Sequence, residues 1–148
     1  PQALDQWYRD NIAPDFPEVR TEISTLLPIE TELQAIVHLV GTDALPVDQQ
    51  LTLEVARMIR EFFLQQNAFH DVDTFSDLDL QYHMAKAILS FQEEAKKAIA
   101  GGAQLEDVVN VPARTDLMRG RFEKGYEEKI SDLVSEMNKQ IDASMEAN

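Results

Sequence analysis

The chain has 148 residues, the length of a single domain that can bury a hydrophobic core. Its 13 Lys and Arg against 27 Asp and Glu give a net charge of −14, which disfavours binding to nucleic acid or to an anionic membrane surface. Cysteine is absent, which excludes disulfides and cysteine zinc sites, and no apolar run approaches the roughly 20 residues that direct membrane insertion of a helix requires. The sequence begins at Pro1 rather than Met, so we expect a piece of a longer protein.

Hydrophobic periodicity predicts an all-α fold. Apolar residues recur at helical spacing in almost every window and glycine is scarce, so we expect a helical bundle of about five to six helices with a long C-terminal helix. The first helix is predicted over residues 3–11, and Pro14 and Pro17 separate it from the second. The second helix ends at Gly41, and Pro28 in its middle predicts a kink or a division into two shorter helices.

The middle of the sequence predicts two further helices. Pro46 opens the third helix, which carries an apolar stripe over residues 51–63. Residues 65–75 are interpreted as a connection, although the first of them can still be helical. Ser76 is predicted to cap the N-terminus of a fourth helix, which ends at the glycine pair 101–102.

The last helix is the longest one predicted. A short helix over residues 104–109 and a break near Pro112 precede it, and it extends over roughly 115–145. Apolar residues form a narrow stripe along it: Phe122, Tyr126, Ile130, Leu133, Met137, Ile141 and Met145. Such a stripe packs either on its own domain or against a helix of another protein.

The common catalytic and metal motifs are missing. The sequence contains neither a P-loop nor a dinucleotide fingerprint, and its three histidines lack the helical zinc spacing. His38 lies between apolar positions and is predicted to be a partly buried packing residue. The acidic cluster of Asp71, Asp73, Asp77 and Asp79 fails the calcium-loop pattern, so we expect Asp77 and Asp79 to cap a helix while the other two face solvent.

A basic run stands out in this acidic chain, and its members are Arg114, Arg119, Arg121, Lys124 and Lys129. A positive patch of this kind forms either a salt-bridged helix surface or a contact for an acidic protein partner. The sequence alone leaves both interpretations open.

One polar string suggests ligand contact. Gln66, Asn67, Ala68 and Phe69 follow Gln65 at the predicted end of the third helix. Amides can hydrogen-bond the edge of a nucleotide base, and an aromatic ring can stack on its face. A loop that merely caps the helix is the alternative interpretation.

Several of these segments together resemble a known family. The string Phe-Leu-Gln-Gln-Asn-Ala-Phe-His at 63–70, with residues 45–46, 53–61 and 72–74, is similar to the C-terminal region of the catalytic A subunit (alpha chain) of archaeal-type and vacuolar-type rotary ATPases. Trp7-Tyr8 and other upstream segments resemble the same region. The resemblance implies that residues 1–148 form a single C-terminal helical bundle domain of a larger subunit, whose barrel and P-loop domains are absent from this chain.

The resemblance also implies a function. The bundle rises and tilts as the catalytic head of such an enzyme opens and closes around nucleotide, and it bears on the central rotor stalk. Gln66, Asn67, Ala68 and Phe69 would lie at the adenine pocket of the intact subunit, with Phe69 lining the ring. The resemblance implies no catalytic residue, metal or cofactor in this piece. ATP or ADP with magnesium would occupy the intact subunit, whose partners would be the rest of its own chain, the B subunits of the hexameric head, and the central stalk subunits.

Two hypotheses therefore remain at the level of sequence. In the first, the chain belongs to a proton- or sodium-transporting ATP synthase or ATPase, peripheral on the cytoplasmic side of the membrane, and is inactive alone. In the second, it is a free-standing acidic α-helical adaptor that binds partner helices through its long last helix.

Overall fold

The fold is an all-α bundle, as the sequence predicted. A computed structural model describes residues 2–69 and 75–146, together with the side chains of these residues except 66–69 and 75–76. Seven α-helices occur in these ranges, one or two more than predicted. They are α1 (Gln2–Asn11), α2 (Phe16–Val40), α3 (Val47–Phe69), α4 (Phe75–Ala100), α5 (Leu105–Val109), α6 (Pro112–Arg119) and α7 (Tyr126–Glu146).

Helix α2 continues through Pro28, so the alternative of two shorter helices is wrong, while the alternative of a kink stays a prediction. Proline in a helix interior removes one backbone hydrogen bond. Burial of the residues on either side compensates, because Leu26 and Leu33 are 7% and 6% exposed. Glu30 also lies on the buried side, where the Arg60 side chain of α3 donates a hydrogen bond to it at 2.8 Å.

The hairpin between α2 and α3 turns at Gly41, as predicted. Gly41 has a φ of +89°, which strains any residue with a side chain, and its N–H donates to the Val37 carbonyl at 2.8 Å. A short 3-10 helix, Thr42–Ala44, precedes α3. His38 is exposed near this turn, so its predicted role as a packing residue is wrong.

The predicted connection between the third and fourth helices is shorter than expected. Helix α3 continues to Phe69, and α4 begins at Phe75. Ser76 therefore lies inside the first turn of α4 rather than before it. Asp77 and Asp79 follow in the same part of α4, whereas Asp71 and Asp73 fall outside the described residues.

The single last helix predicted over 115–145 is in fact two helices. Residues 120–125 separate α6 from α7, and Gly120 and Gly125 stand at the two ends of this segment. Gly125 has a φ of +82°, a left-handed conformation that does not continue an α-helix. Arg-Gly at 119–120 and Lys-Gly at 124–125 are the sequence signals that could have predicted the interruption.

Helix α4 lies at the centre of the bundle and packs against α2, α3, α5 and α7. In α7, Ile130, Met137 and Ile141 belong to the core and are 3%, 0% and 0% exposed. The apolar stripe of the last helix is therefore buried within the chain itself. This removes the observation that favoured a separate helix-binding adaptor.

Candidate functional site

The described part of the chain offers two candidate places for a functional site: the end of α3, where the amide string lies, and the exposed end of the α2–α3 hairpin. Within residues 2–69 and 75–146, no group of three or more His, Asp or Glu side chains is placed to hold a metal ion. The helices in the same ranges also include none long and apolar enough to span a membrane.

The amide string occupies the last turn of α3. Gln66, Asn67, Ala68 and Phe69 have helical backbone, but their side chains lie outside the described residues. His70 is also outside them. The adenine role of the four residues consequently stays a prediction.

The neighbouring residue, Gln65, ties the end of α3 to α6. Its Nε2 donates a hydrogen bond to the Met118 carbonyl at 3.2 Å. Met118 lies in the last turn of α6, where the backbone carbonyls have no helical N–H to accept from. The Gln65 amide thus satisfies a carbonyl of α6 and at the same time holds the helix turn that precedes the amide string.

A cleft of about 420 Å³ opens beside this hydrogen bond. Its floor is apolar and includes Phe62, Leu80, Met84 and Leu117, which are 1–6% exposed. Its edge is polar and consists of Gln65, Arg119, Gly120, Arg121 and Glu123. Sequence analysis missed the cleft, although two residues of the predicted basic run lie on its edge.

Arg114, the first residue of the basic run, makes its contacts with other residues of the bundle. It donates to the Val109 carbonyl at 3.0 Å, forms an ion pair with Glu54 at 3.3 Å and lies over the Phe91 ring. Burial lowers the pKa of Arg114 and the Glu54 carboxylate opposes this effect. Lys129 likewise lies over the Phe122 ring. The interpretation as a salt-bridged helix surface is confirmed for Arg114 and stays a prediction for Lys129.

A polar cluster joins α2 to α4. The Tyr82 hydroxyl donates to Asp15 Oδ1 at 2.7 Å, and Lys86 Nζ donates to Asp15 Oδ2 at 2.9 Å. The bond from Tyr82, followed by that from Lys86, lowers the pKa of Asp15. Burial, followed by the bond to Asp15, raises the pKa of Tyr82 to about 12.

A second polar cluster joins α4 to α7. The Tyr126 hydroxyl donates to Asp79 Oδ2, and His83 Nε2 lies 3.6 Å from the same oxygen. Burial, followed by the hydrogen bond to Asp79, raises the pKa of Tyr126. Asp79 thus fixes α7 in place, a role that the predicted helix cap did not include.

The end of the α2–α3 hairpin is apolar and exposed. Leu39, Val40 and Val47 are 85%, 65% and 46% exposed. Asp43 and Asp48 are exposed beside them. Exposed apolar groups with a charged rim are typical of protein contact surfaces. Val40 is apolar and lies in the last turn of α2, and it is nevertheless exposed.

The chain is similar in sequence to a known protein family and to several curated proteins. A family model described as the C-terminal domain of V and A type ATP synthase matches residues 5–109. The chain is also similar to the A subunit of the A-type ATP synthase of Natronomonas pharaonis, with 49% identity over 140 residues, which cover 95% of this chain and 24% of that protein.

Two further relatives show the same pattern. The A subunit of the A-type ATP synthase of Methanosarcina barkeri is 41% identical over 139 residues, 94% of this chain and 24% of that protein. The V-type ATP synthase alpha chain 1 of Clostridium tetani is 43% identical over 140 residues, 95% of this chain and 23% of that protein. The chain spans about a quarter of the length of the curated relatives it matches.

Proposed function

The chain belongs to the family of C-terminal domains of V- and A-type ATP synthases, as its sequence motifs predicted, and from this premise we propose that it is the helical domain of a catalytic A subunit. Residues 1–148 would then form one bundle of a larger subunit, whose barrel and P-loop domains hold ATP or ADP with magnesium. The intact subunit would synthesise or hydrolyse ATP coupled to proton or sodium transport. The 148-residue chain alone would not hydrolyse ATP, because the phosphate-binding loop is not part of it.

The observation that carries this proposal is the continuity of α3. One helix runs from the exposed hairpin end at Val47 to the amide string that finishes at Phe69. At a rise of about 1.5 Å per residue, it connects points roughly 33 Å apart. The middle of α3 is buried, since Val55, Ala56 and Met58 are 0–1% exposed. A closely packed helix moves as a body rather than bending, so a displacement at one end reaches the other.

The two ends of α3 would have different partners. The amide string Gln66, Asn67, Ala68 and Phe69 would lie at the adenine of bound nucleotide, next to the rest of the catalytic chain and to the B subunits of the hexameric head. The hairpin end with Leu39 and its neighbours would contact the central stalk subunits. Nucleotide-dependent opening of the head would thereby tilt α3 against the stalk. The complex would be peripheral on the cytoplasmic side of the membrane.

The stalk contact can be tested by binding. Replacing Leu39 and Val40 with Gln in the intact subunit should weaken its association with the stalk subunits. Burying a Leu side chain is worth about 1.5–3 kcal/mol, so we expect roughly tenfold weaker binding or more. Leu64→Gln is the matched control, because Leu64 is 63% exposed at the opposite end of α3. Equal binding of the double variant and the control would contradict the proposed contact.

The nucleotide contact needs a kinetic test. Phe69→Ala in the intact subunit should raise the KM for ATP by about tenfold, the loss expected for one aromatic stacking contact of roughly 1–2 kcal/mol. Leu64→Ala serves as the control, since it truncates an exposed side chain in the turn before. An unchanged KM in the Phe69 variant would refute the adenine role while leaving the stalk contact to be judged by its own experiment.

A further inference from the structure

The cleft between α3, α4 and residues 117–123 has the features of a small-molecule site that the proposed function does not use. Its volume of about 420 Å³ falls in the range of roughly 300–1,000 Å³ that ligand pockets occupy. Phe62, Leu80 and Met84 on its floor are 6%, 4% and 1% exposed, although the edge of the cleft is open to solvent. A ligand body that enters this cleft would therefore contact apolar side chains that are already fixed by the core.

The edge of the cleft carries more basic than acidic side chains, whereas the chain as a whole is acidic. Arg119 and Arg121 stand there against one carboxylate, Glu123, whereas the whole chain carries a net charge of −14. Arg119 is exposed, and it forms no hydrogen bond or ion pair with the residues that the structure describes. A guanidinium offers paired N–H donors that match the two oxygens of a carboxylate. The cleft thus combines an apolar floor with a cationic edge.

We propose that this cleft binds a small amphipathic anion, a carboxylate whose aliphatic or aromatic body fills the apolar floor. The carboxylate head would lie at Arg119, and the body would contact Leu80 and Met84. Each buried methylene contributes to binding, so affinity should rise with chain length until the floor is filled. Arg119, the proposed contact for the carboxylate, is not one of the four residues of the proposed adenine contact.

The test is isothermal titration calorimetry of the 148-residue chain with octanoate, and with octanol as the uncharged counterpart. We expect octanoate to bind with one-to-one stoichiometry and more tightly than octanol. Arg119→Gln should weaken octanoate binding by about threefold to tenfold, as expected for one partly exposed charged contact, and should leave octanol binding unchanged. Lys96→Gln is the matched control, because Lys96 is exposed on α4 away from the cleft.

A second measurement keeps the test independent of any variant that misfolds. In the unaltered chain the methyl resonances of Leu80, Met84 and Leu117 should shift upon addition of octanoate. Absence of binding at millimolar octanoate would overturn the proposal. Shifts confined to the exposed hairpin end, or equal affinity for octanoate and octanol, would overturn it as well.

Discussion

Replacing Met137 by Ala tests whether α7 is an integral part of the bundle. Met137 is 0% exposed and lies on the α7 face that packs on the central core. The change removes three side-chain heavy atoms from a closely packed site, for which large-to-small substitutions cost about 2–5 kcal/mol. A domain of this size unfolds with a free energy of about 5–15 kcal/mol. With a loss of about 3 kcal/mol from a stability of about 10 kcal/mol, the variant should lose roughly a third of its free energy of unfolding.

The assay is urea denaturation followed by circular dichroism, together with a thermal melt. A loss of about 3 kcal/mol should lower the melting temperature by roughly 6–12 °C in a chain of this length. Lys139→Ala in the same helix is the control, because its side chain is not buried and its replacement should change stability by less than about 0.5 kcal/mol. Equal stabilities of the two variants would refute the packing of α7 and would restore the possibility that this helix pairs with another protein.

Two further predictions concern pH. The pKa of Asp15 is lowered in the folded chain from its ordinary value of 3.8. The Asp15 carboxylate therefore contributes its full stabilisation at pH values above 3.8, and this stabilisation is lost as the pH falls through the lowered pKa of the folded chain. Asp15→Asn should thus be less stable than the unaltered chain at pH 7, with the difference narrowing below about pH 4 in urea titrations; a constant difference would contradict this. The pKa of Tyr82 is raised from 10.0 to about 12, so its contribution is present below pH 10 and lost as the pH rises toward 12. Tyr82→Phe should therefore lose less stability between pH 10 and 12 than the unaltered chain, and parallel alkaline melting curves would refute the assignment.

Local sequence signals predicted most of the helices correctly because they act over a few residues. Proline and glycine set the turns at Pro14 and Gly41, where the backbone requirement does not depend on distant packing. The interruption at 120–125 was missed because the apolar stripe continues in register across it. Apolar periodicity predicts which residues share a helix face. It does not show whether the residues between two apolar positions are themselves helical.

Burial was harder to predict than helix position. Val40 continues the apolar pattern of α2 and yet is 65% exposed in the last turn before Gly41. His38 lies in the same turn and is exposed as well. The cleft beside Gln65 depends on the separation of α3, α4 and α6, which no spacing in the sequence encodes.

By itself, the sequence determined the all-α class, the family and the position of the amide string, since composition, helix breakers and short motifs are local properties of the chain. Only the tertiary structure decided that the stripe of α7 is buried against α4, that Leu39 is left exposed, and that Arg114 is used internally while Arg119 stands at an open cleft. The physical reason is that helical periodicity defines a face, whereas burial and charge pairing depend on which other helix lies opposite that face.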